Sequence, residues 1–305
     1  MRSLKKELRK NWDLYLFMLP PVIFVLIFNY GPMYGAQIAF RKYSISMGAF
    51  GSPWVGLDNF IRFFSTKGSL DVIANTVGIS IYGLLAGFPI PIILALGLNH
   101  CPFMRFKKTV QMLTYAPYFI STVVMCSLII QFLAPRNGIV NILRSLAFGS
   151  ESVNYMGRGE WFSSIYVWTG IWQGMGWSSI IYISALSGVS PELHETATID
   201  GASIVQRIAH IDIPSIMPII SINLILSAGG ILNVGFEKVY LLQNPLNLRY
   251  SEVIQTFVYK IGLNTGGIPD FSYSSAIGLM TSIANLIILL LVNGSLKRMN
   301  QQGLV

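Results

Sequence analysis

Charged residues divide this chain into long apolar stretches. Between one Asp, Glu, Lys or Arg and the next lie six uncharged intervals of more than twenty residues, at 14–40, 72–104, 109–135, 161–191, 213–236 and 271–296. A helix needs about 20 apolar residues to cross the hydrocarbon of a bilayer. Each interval therefore accommodates one span, and the pattern predicts spans at 14–34, 73–98, 109–133, 163–187, 214–235 and 273–296. The expected fold is all-α and polytopic, with six transmembrane helices. In the second span, Pro89 and Pro91 remove two donors from the helical ladder and predict a kink. In the fourth, Gly170 and Gly174 are four apart and predict a face open to close helix approach. The fifth ends in "SAGGILNVGF", which is rich in glycine and predicts loose helix.

Composition agrees with this pattern. Of 305 residues, 53% are hydrophobic and 11% charged, with a mean hydropathy of +0.58. A soluble domain carries about 25% charged residues. The basic start "MRSLKKELRKNWD" precedes an apolar tract too long for a signal-peptide core, and no small-residue cleavage site follows. Arg2, Lys5, Lys6, Arg9 and Lys10 then place residues 1–13 in the cytoplasm. Six crossings return 297–305, with Lys297 and Arg298, to the same side. Per residue, the inside segments are about twice as basic as the outside ones, as the positive-inside rule requires. The net charge of +8 is largely this asymmetry and implies no nucleic-acid partner.

Catalytic and metal chemistry find little footing. His100, His194 and His210 all fall at the predicted cytoplasmic face without a ligand or triad spacing, so surface or core histidine is the default reading. Cys101 lies in a predicted cytoplasmic loop and Cys126 in the third span, so a disulfide between them is not expected. No G-x-x-x-x-G-K-[ST] phosphate loop is present, so any ATP that drives this protein is hydrolysed on another chain. The predicted spans contain no ionisable Asp, Glu, Lys or Arg, which argues against a self-contained proton-coupled carrier. A Na⁺-coupled carrier stays open, since carbonyls can hold that ion.

One segment interrupts the pattern. "HETATIDGASIVQRIAHIDIP", 194–214, is polar and lies between two uncharged tracts. Pro191 and Glu192 suit the first turn of a helix. Ala197 with Gly201, and Thr198 with Ala202, are i and i+4, so one side of this helix is expected to be nearly bare. Gly201 permits a sharp turn, and Ser203 is the expected N-cap of a second short helix lined by Ile204, Ile208 and Ile211. Pro214 then opens the fifth span. Two short helices at the cytoplasmic face form a docking element for a cytoplasmic partner. The alternative is a helix resting on lipid headgroups, but such helices carry Lys and Arg, and this one is mainly acidic.

The same residues carry a family resemblance. "E-T-A-T-I-D-G-A", closed by "I-D-I-P", resembles the EAA loop of ABC-importer permeases, whose pattern is E-A-A, D-G-A and I-x-L-P. Glu195, Ala197, Asp200, Gly201, Ala202, Ile211 and Pro214 match it in register. Thr196 stands for Ala, Ile208 for an aromatic and Ile213 for Leu. Elsewhere "NWDLYLFMLPPVIFVLIFNYGPMYGAQIAF", "GSPWVGLDNF", "KKTVQMLTYAPYFISTVV" and "GFEKVYLLQNP" are similar to carbohydrate permeases of the maltose-transporter type. They look nearest to the group importing oligosaccharides and polysaccharide fragments in Gram-positive bacteria.

The resemblance implies a type I ABC importer permease fold over 14–296, in a bacterial plasma membrane. Partners implied are a second similar permease, two ATPase subunits or an ATPase homodimer, and an extracytoplasmic solute-binding lipoprotein. ATP and Mg would sit on the ATPases, with no cofactor on this chain. The loop 190–214 would couple to the ATPase through Glu195, Ala197, Asp200, Gly201, Ala202, Ile208, Ile211 and Pro214. Sugars are held by aromatic faces and neutral hydrogen bonders, which makes Trp172, Gln173, Trp177 and Asn233 candidate substrate-lining residues. Trp also serves as packing or as an interfacial belt residue. A permease for a non-sugar solute, or a channel or carrier without an ATPase, are the competing readings.

Overall fold

The computed structural model describes residues 10–263 and 269–298. The basic residues Arg2, Lys5, Lys6 and Arg9, and the tail 299–305, lie outside the described residues. Among those described the chain is helical, with one isolated bridge between Arg41 and Trp54. In chain order the elements used below are α1 (Trp12–Phe40), α2 (Asp58–Ser65), α3 (Ser69–Asn99), α4 (Met104–Phe119), α5 (Thr122–Phe132) and α6 (Ile139–Phe148). They continue as α7 (Phe162–Leu186), α8 (Pro191–Ile199), α9 (Ile204–Gly229), α10 (Phe236–Leu242), α11 (Ile254–Leu263) and α12 (Phe271–Arg298).

Helix occupies each of the six predicted intervals, but not in six equal forms. By length and composition α1, α3, α9 and α12 qualify as membrane spans. The third predicted span is broken: α4 and α5 meet at 104° and count as a fifth span only if taken together. Pro117 lies in the last turn of α4, and Ser121 then caps α5, its Oγ accepting from Val124 N at 3.4 Å. At 25 residues α7 is long enough to cross. Its Trp, Gln, Gly and Ser content keeps it out of the strongly apolar set. As expected, α3 is interrupted at Phe88, immediately before Pro89 and Pro91. Neither proline can donate to the carbonyl four residues back.

The chain forms two compact units. One comprises the residues up to Thr66 together with Val258–Met280. In it, α1 exposes every side chain from Trp12 to Tyr34, as suits a helix solvated by lipid. Asn59 on α2 is buried, and its amide donates to the carbonyls of Ala39 at 2.8 Å and Arg41 at 3.2 Å, fixing the turn that follows α1. Arg62 pairs with Asp270 at 2.6 Å while its guanidinium covers the Tyr273 ring at 4.3 Å.

The second unit, Lys67–Phe257 and Thr281 onward, is built around α7, which packs on α3, α4 and α9. One apolar cluster joins Ile79 of α3, Met125 and Ile129 of α5, Val167 of α7 and Val239 and Leu242 of α10. A second joins Ala95 and Leu96 of α3, Tyr182 and Leu186 of α7 and Ile216 of α9. Close backbone approach occurs at Gly176, where any Cβ would overlap the Thr114 carbonyl of α4. The expectation for Gly170 and Gly174 is corrected accordingly. A Cβ at 174 meets nothing within 4 Å, and one at 170 meets the side-chain ammonium of Lys238 rather than another helix's backbone.

Candidate functional site

The polar segment folds by local rules. α8 ends in a Schellman motif: Ala202 N donates to Ala197 O at 2.8 Å and Gly201 N to Thr198 O at 3.1 Å, with Gly201 at φ +78°. The expectation that Gly201 shares a helix face with Ala197 is therefore corrected. Helix stops at Ile199, and Gly201 is the left-handed residue that turns the chain. Ser203 caps the next helix in a capping box with Gln206, its backbone N–H donating to Gln206 Oε1 at 2.8 Å. Arg207 Nη1 donates to Thr198 Oγ1 at 3.0 Å and ties this helix back to α8.

The second short helix is also not separate from the span that follows. Residues 208–212 take a π-helical turn, with Ile213 N donating to Ile208 O, and α9 continues unbroken to Gly229. The wider turn absorbs the donor that Pro214 lacks. Ile208 faces inward, half-buried against the cluster of Ala95, Leu96, Tyr182, Leu186 and Ile216. Glu195, Asp200, Gly201 and Pro214 are exposed, and Ala197, Ala202 and Ile211 half-buried. Glu195 has no ion pair among the described residues. Around the turn, Leu193, Ile199, Ile204 and Val205 are exposed, Ile199 to 86%.

Below this surface lies a cluster that the histidine spacing did not reveal. Asp212 is completely buried, and its Oδ2 sits 2.6 Å from His100 Nε2 at the end of α3. His194 Nε2 of α8 approaches Oδ1 at 3.3 Å, without the alignment of a hydrogen bond. The two imidazoles meet edge to face at 5.6 Å. Three elements, α3, α8 and α9, thus converge on one carboxylate.

Two hollows open along the wall shared by α3 and α7. The larger, about 390 Å³, is lined by Ser80, Phe88, Ser178, Tyr182, Asn223 and Ser227, among others. Ser80 Oγ is buried there without a hydrogen-bond partner among the described residues, so it is available to a ligand or water. The second, about 320 Å³, includes Tyr166, Gly170, Gln173, Gly174 and Lys238. Gly83, Gly87, Pro91 and Ser178 line both.

Of the residues expected to line a substrate path, Gln173 borders the second hollow and donates to Ile120 O at 2.9 Å, satisfying a carbonyl at the α4–α5 break. Trp177 stacks on Tyr118 at 4.6 Å, and Trp172 is half-exposed. Asn233 lies past the end of α9, with its Oδ1 3.4 Å from the amide nitrogens of Gln255 and Asn285. Trp172, Trp177 and Asn233 are not among the residues lining either hollow.

Lys238, which the sequence places in an external loop, is 9% exposed. It sits on α10, outside the candidate spans, held by fully buried Val239 and Leu242. Nζ donates to Tyr166 O at 2.9 Å and lies 4.8 Å from the Tyr166 ring centre. Burial pulls its pKa down to about 8, so it keeps its proton at neutral pH.

Fold and loop together define an all-helical membrane component, and comparison with known proteins identifies which kind. Residues 87–301 match the model of the binding-protein-dependent transport system inner membrane component family. The chain belongs to that family. It is 41% identical over 303 residues to the polygalacturonan/rhamnogalacturonan transport system permease protein YteP of Bacillus subtilis (strain 168), covering 99% of this chain and 93% of that one. Protein LplB of the same organism is 36% identical over 304 residues, with 100% and 93% coverage. Among solved structures, a chain of a bacterial alginate ABC transporter in complex with alginate pentasaccharide-bound periplasmic protein superimposes with a TM-score of 0.90. It is 36% identical, with 99% of this chain and 100% of that chain covered.

Proposed function

We propose that this chain is the transmembrane permease subunit of an ATP-driven importer, moving an oligosaccharide or polysaccharide fragment by alternating access. The loop 190–214 couples it to separate ATPase subunits that bind ATP and Mg. The observation that carries this reading is the loop itself. A short helix ends at exposed Ile199 before a left-handed glycine, bears an exposed Glu195 with no ion pair among the described residues, and is followed by exposed Val205. An acidic, apolar-edged surface at a helix end fits the groove of a cytoplasmic partner better than lipid headgroups. Six spans with both termini cytoplasmic, a second permease and an extracytoplasmic binding lipoprotein complete the assembly in a bacterial plasma membrane. Support for a carbohydrate comes from the names of the relatives and from the serine and asparagine side chains lining the larger hollow.

Two experiments test this. Purified with its co-expressed neighbours, the complex is expected to contain an ATPase, and a sugar presented on the binding protein is expected to stimulate ATP hydrolysis. A pull-down without an ATPase would favour a channel or carrier, and stimulation by non-sugar solutes alone would replace the substrate class. For topology, Cys101 is partly accessible. A membrane-impermeant maleimide is expected to label it in inverted vesicles and not in intact cells, and labelling from outside would reverse the orientation.

A further inference from the structure

The second hollow carries a feature that a neutral sugar does not require. Its wall holds one ammonium, Lys238 Nζ, on a side chain nine-tenths buried. No carboxylate among the described residues pairs with it. The neighbouring Glu237 is exposed. A lysine ammonium has three donors, and the Tyr166 carbonyl takes one. Gly170 lies beside Nζ, where an added Cβ would stand 3.2 Å from it, and both residues line the hollow. The Tyr166 carbonyl and ring face compensate the charge only in part, and a buried cation without a carboxylate partner in a cleft is a candidate functional position.

We propose that Lys238 selects the charge of the solute, taking the carboxylate of a uronic-acid residue as the chain of an acidic oligosaccharide passes. This deepens, and rests on, the carbohydrate-importer reading above. A single lysine offers one positive charge, and among the described residues no second cation lines the hollow. One carboxylate balances it, whereas a sugar phosphate brings nearly two negative charges. Ser178 on the same wall leaves neutral hydroxyls something to bond.

The test uses the whole complex with its binding protein, reconstituted in vesicles. ATPase stimulation is read with trigalacturonate, with its fully methyl-esterified form and with a hexose phosphate. The wild type is expected to prefer the acid over the ester by about 10-fold or more, the size of a charge-assisted hydrogen bond, and over the phosphate. In Lys238→Met the acid-to-ester ratio is expected to fall to about 1, and in Lys238→Arg to be largely kept. A ratio cancels any loss of folded protein, and the wild-type ratio needs no variant at all. Equal response to acid and ester in the wild type, or an unchanged ratio in Lys238→Met, overturns charge selection while leaving the importer reading intact. A preference for the hexose phosphate overturns the carboxylate assignment. A complex that responds to neutral sugars and not to the acid overturns this proposal alone, and one that responds to no carbohydrate overturns both.

Discussion

A Gly201→Asp variant is expected to reach the membrane at normal levels while losing ATPase co-purification and transport by about 10-fold or more. The left-handed φ of +78° makes any other L-residue strained there, by about 1–2 kcal/mol, and Asp is among the residues that tolerate it best. A Cβ at this position meets nothing within 4 Å, so the chain itself has room for the side chain. The penalty falls where a partner closes over the exposed turn between Ile199 and Val205 and must bury an unpaired carboxylate. At about 1.4 kcal/mol per factor of ten, even partial desolvation suffices. Gly201→Asn separates the causes: it has the same volume and tolerates the same backbone, without the charge. It is expected to keep part of the ATPase association. If it loses as much as Asp while thermal stability is unchanged, occupancy of the turn rather than charge blocks docking. Normal uptake by Gly201→Asp would remove the coupling role from this loop.

Features legible in the sequence are those set by one stretch of chain against one solvent. Bilayer hydrocarbon imposes the same demand along about 20 residues, so six uncharged intervals translate into helix at all six places. Turn chemistry is equally local, and Ser203 caps where its position before Ile204 and Val205 predicts. Gly201 was legible as a turn but not as a helix terminator, because its i, i+4 spacing from Ala197 also fits a continuing helix. The 104° break needed Gln173, fifty-three residues on, to satisfy the Ile120 carbonyl. Lys238 reads as one more loop lysine until Val239 and Leu242 bury its helix against α5 and α7. Likewise His100 and Asp212 are 112 residues apart, and only the packing of α3 on α9's neighbours makes them partners. Side chains that gather from separate elements leave no periodic trace.

That histidine–aspartate cluster supports the second large effect. Replacing both His100 and His194 by Leu strands a fully buried carboxylate, and the expected loss of stability is about 3–5 kcal/mol, read as a marked fall in Tm of the purified protein. Asp212→Asn is expected to cost less, about 1–3 kcal/mol, because an uncharged amide is cheaper to bury than a lone carboxylate and can still hydrogen-bond to the imidazoles. The triple variant with Asp212→Leu as well removes every charge and is expected to recover most of the stability, since an apolar replacement of a buried ion pair is often neutral or better. Transport is expected to behave differently. α8 touches α3 and α9 through this carboxylate, so under the proposed coupling a force on the 190–214 loop would have a stiff path into both helices. Apolar contacts are non-directional and hold α8 less rigidly in register. The triple variant is therefore expected to fold and to hydrolyse ATP with its partners, but to import fewer solute molecules per ATP. Equal coupling ratios in the triple variant and the wild type would leave the cluster a stabilising feature and nothing more.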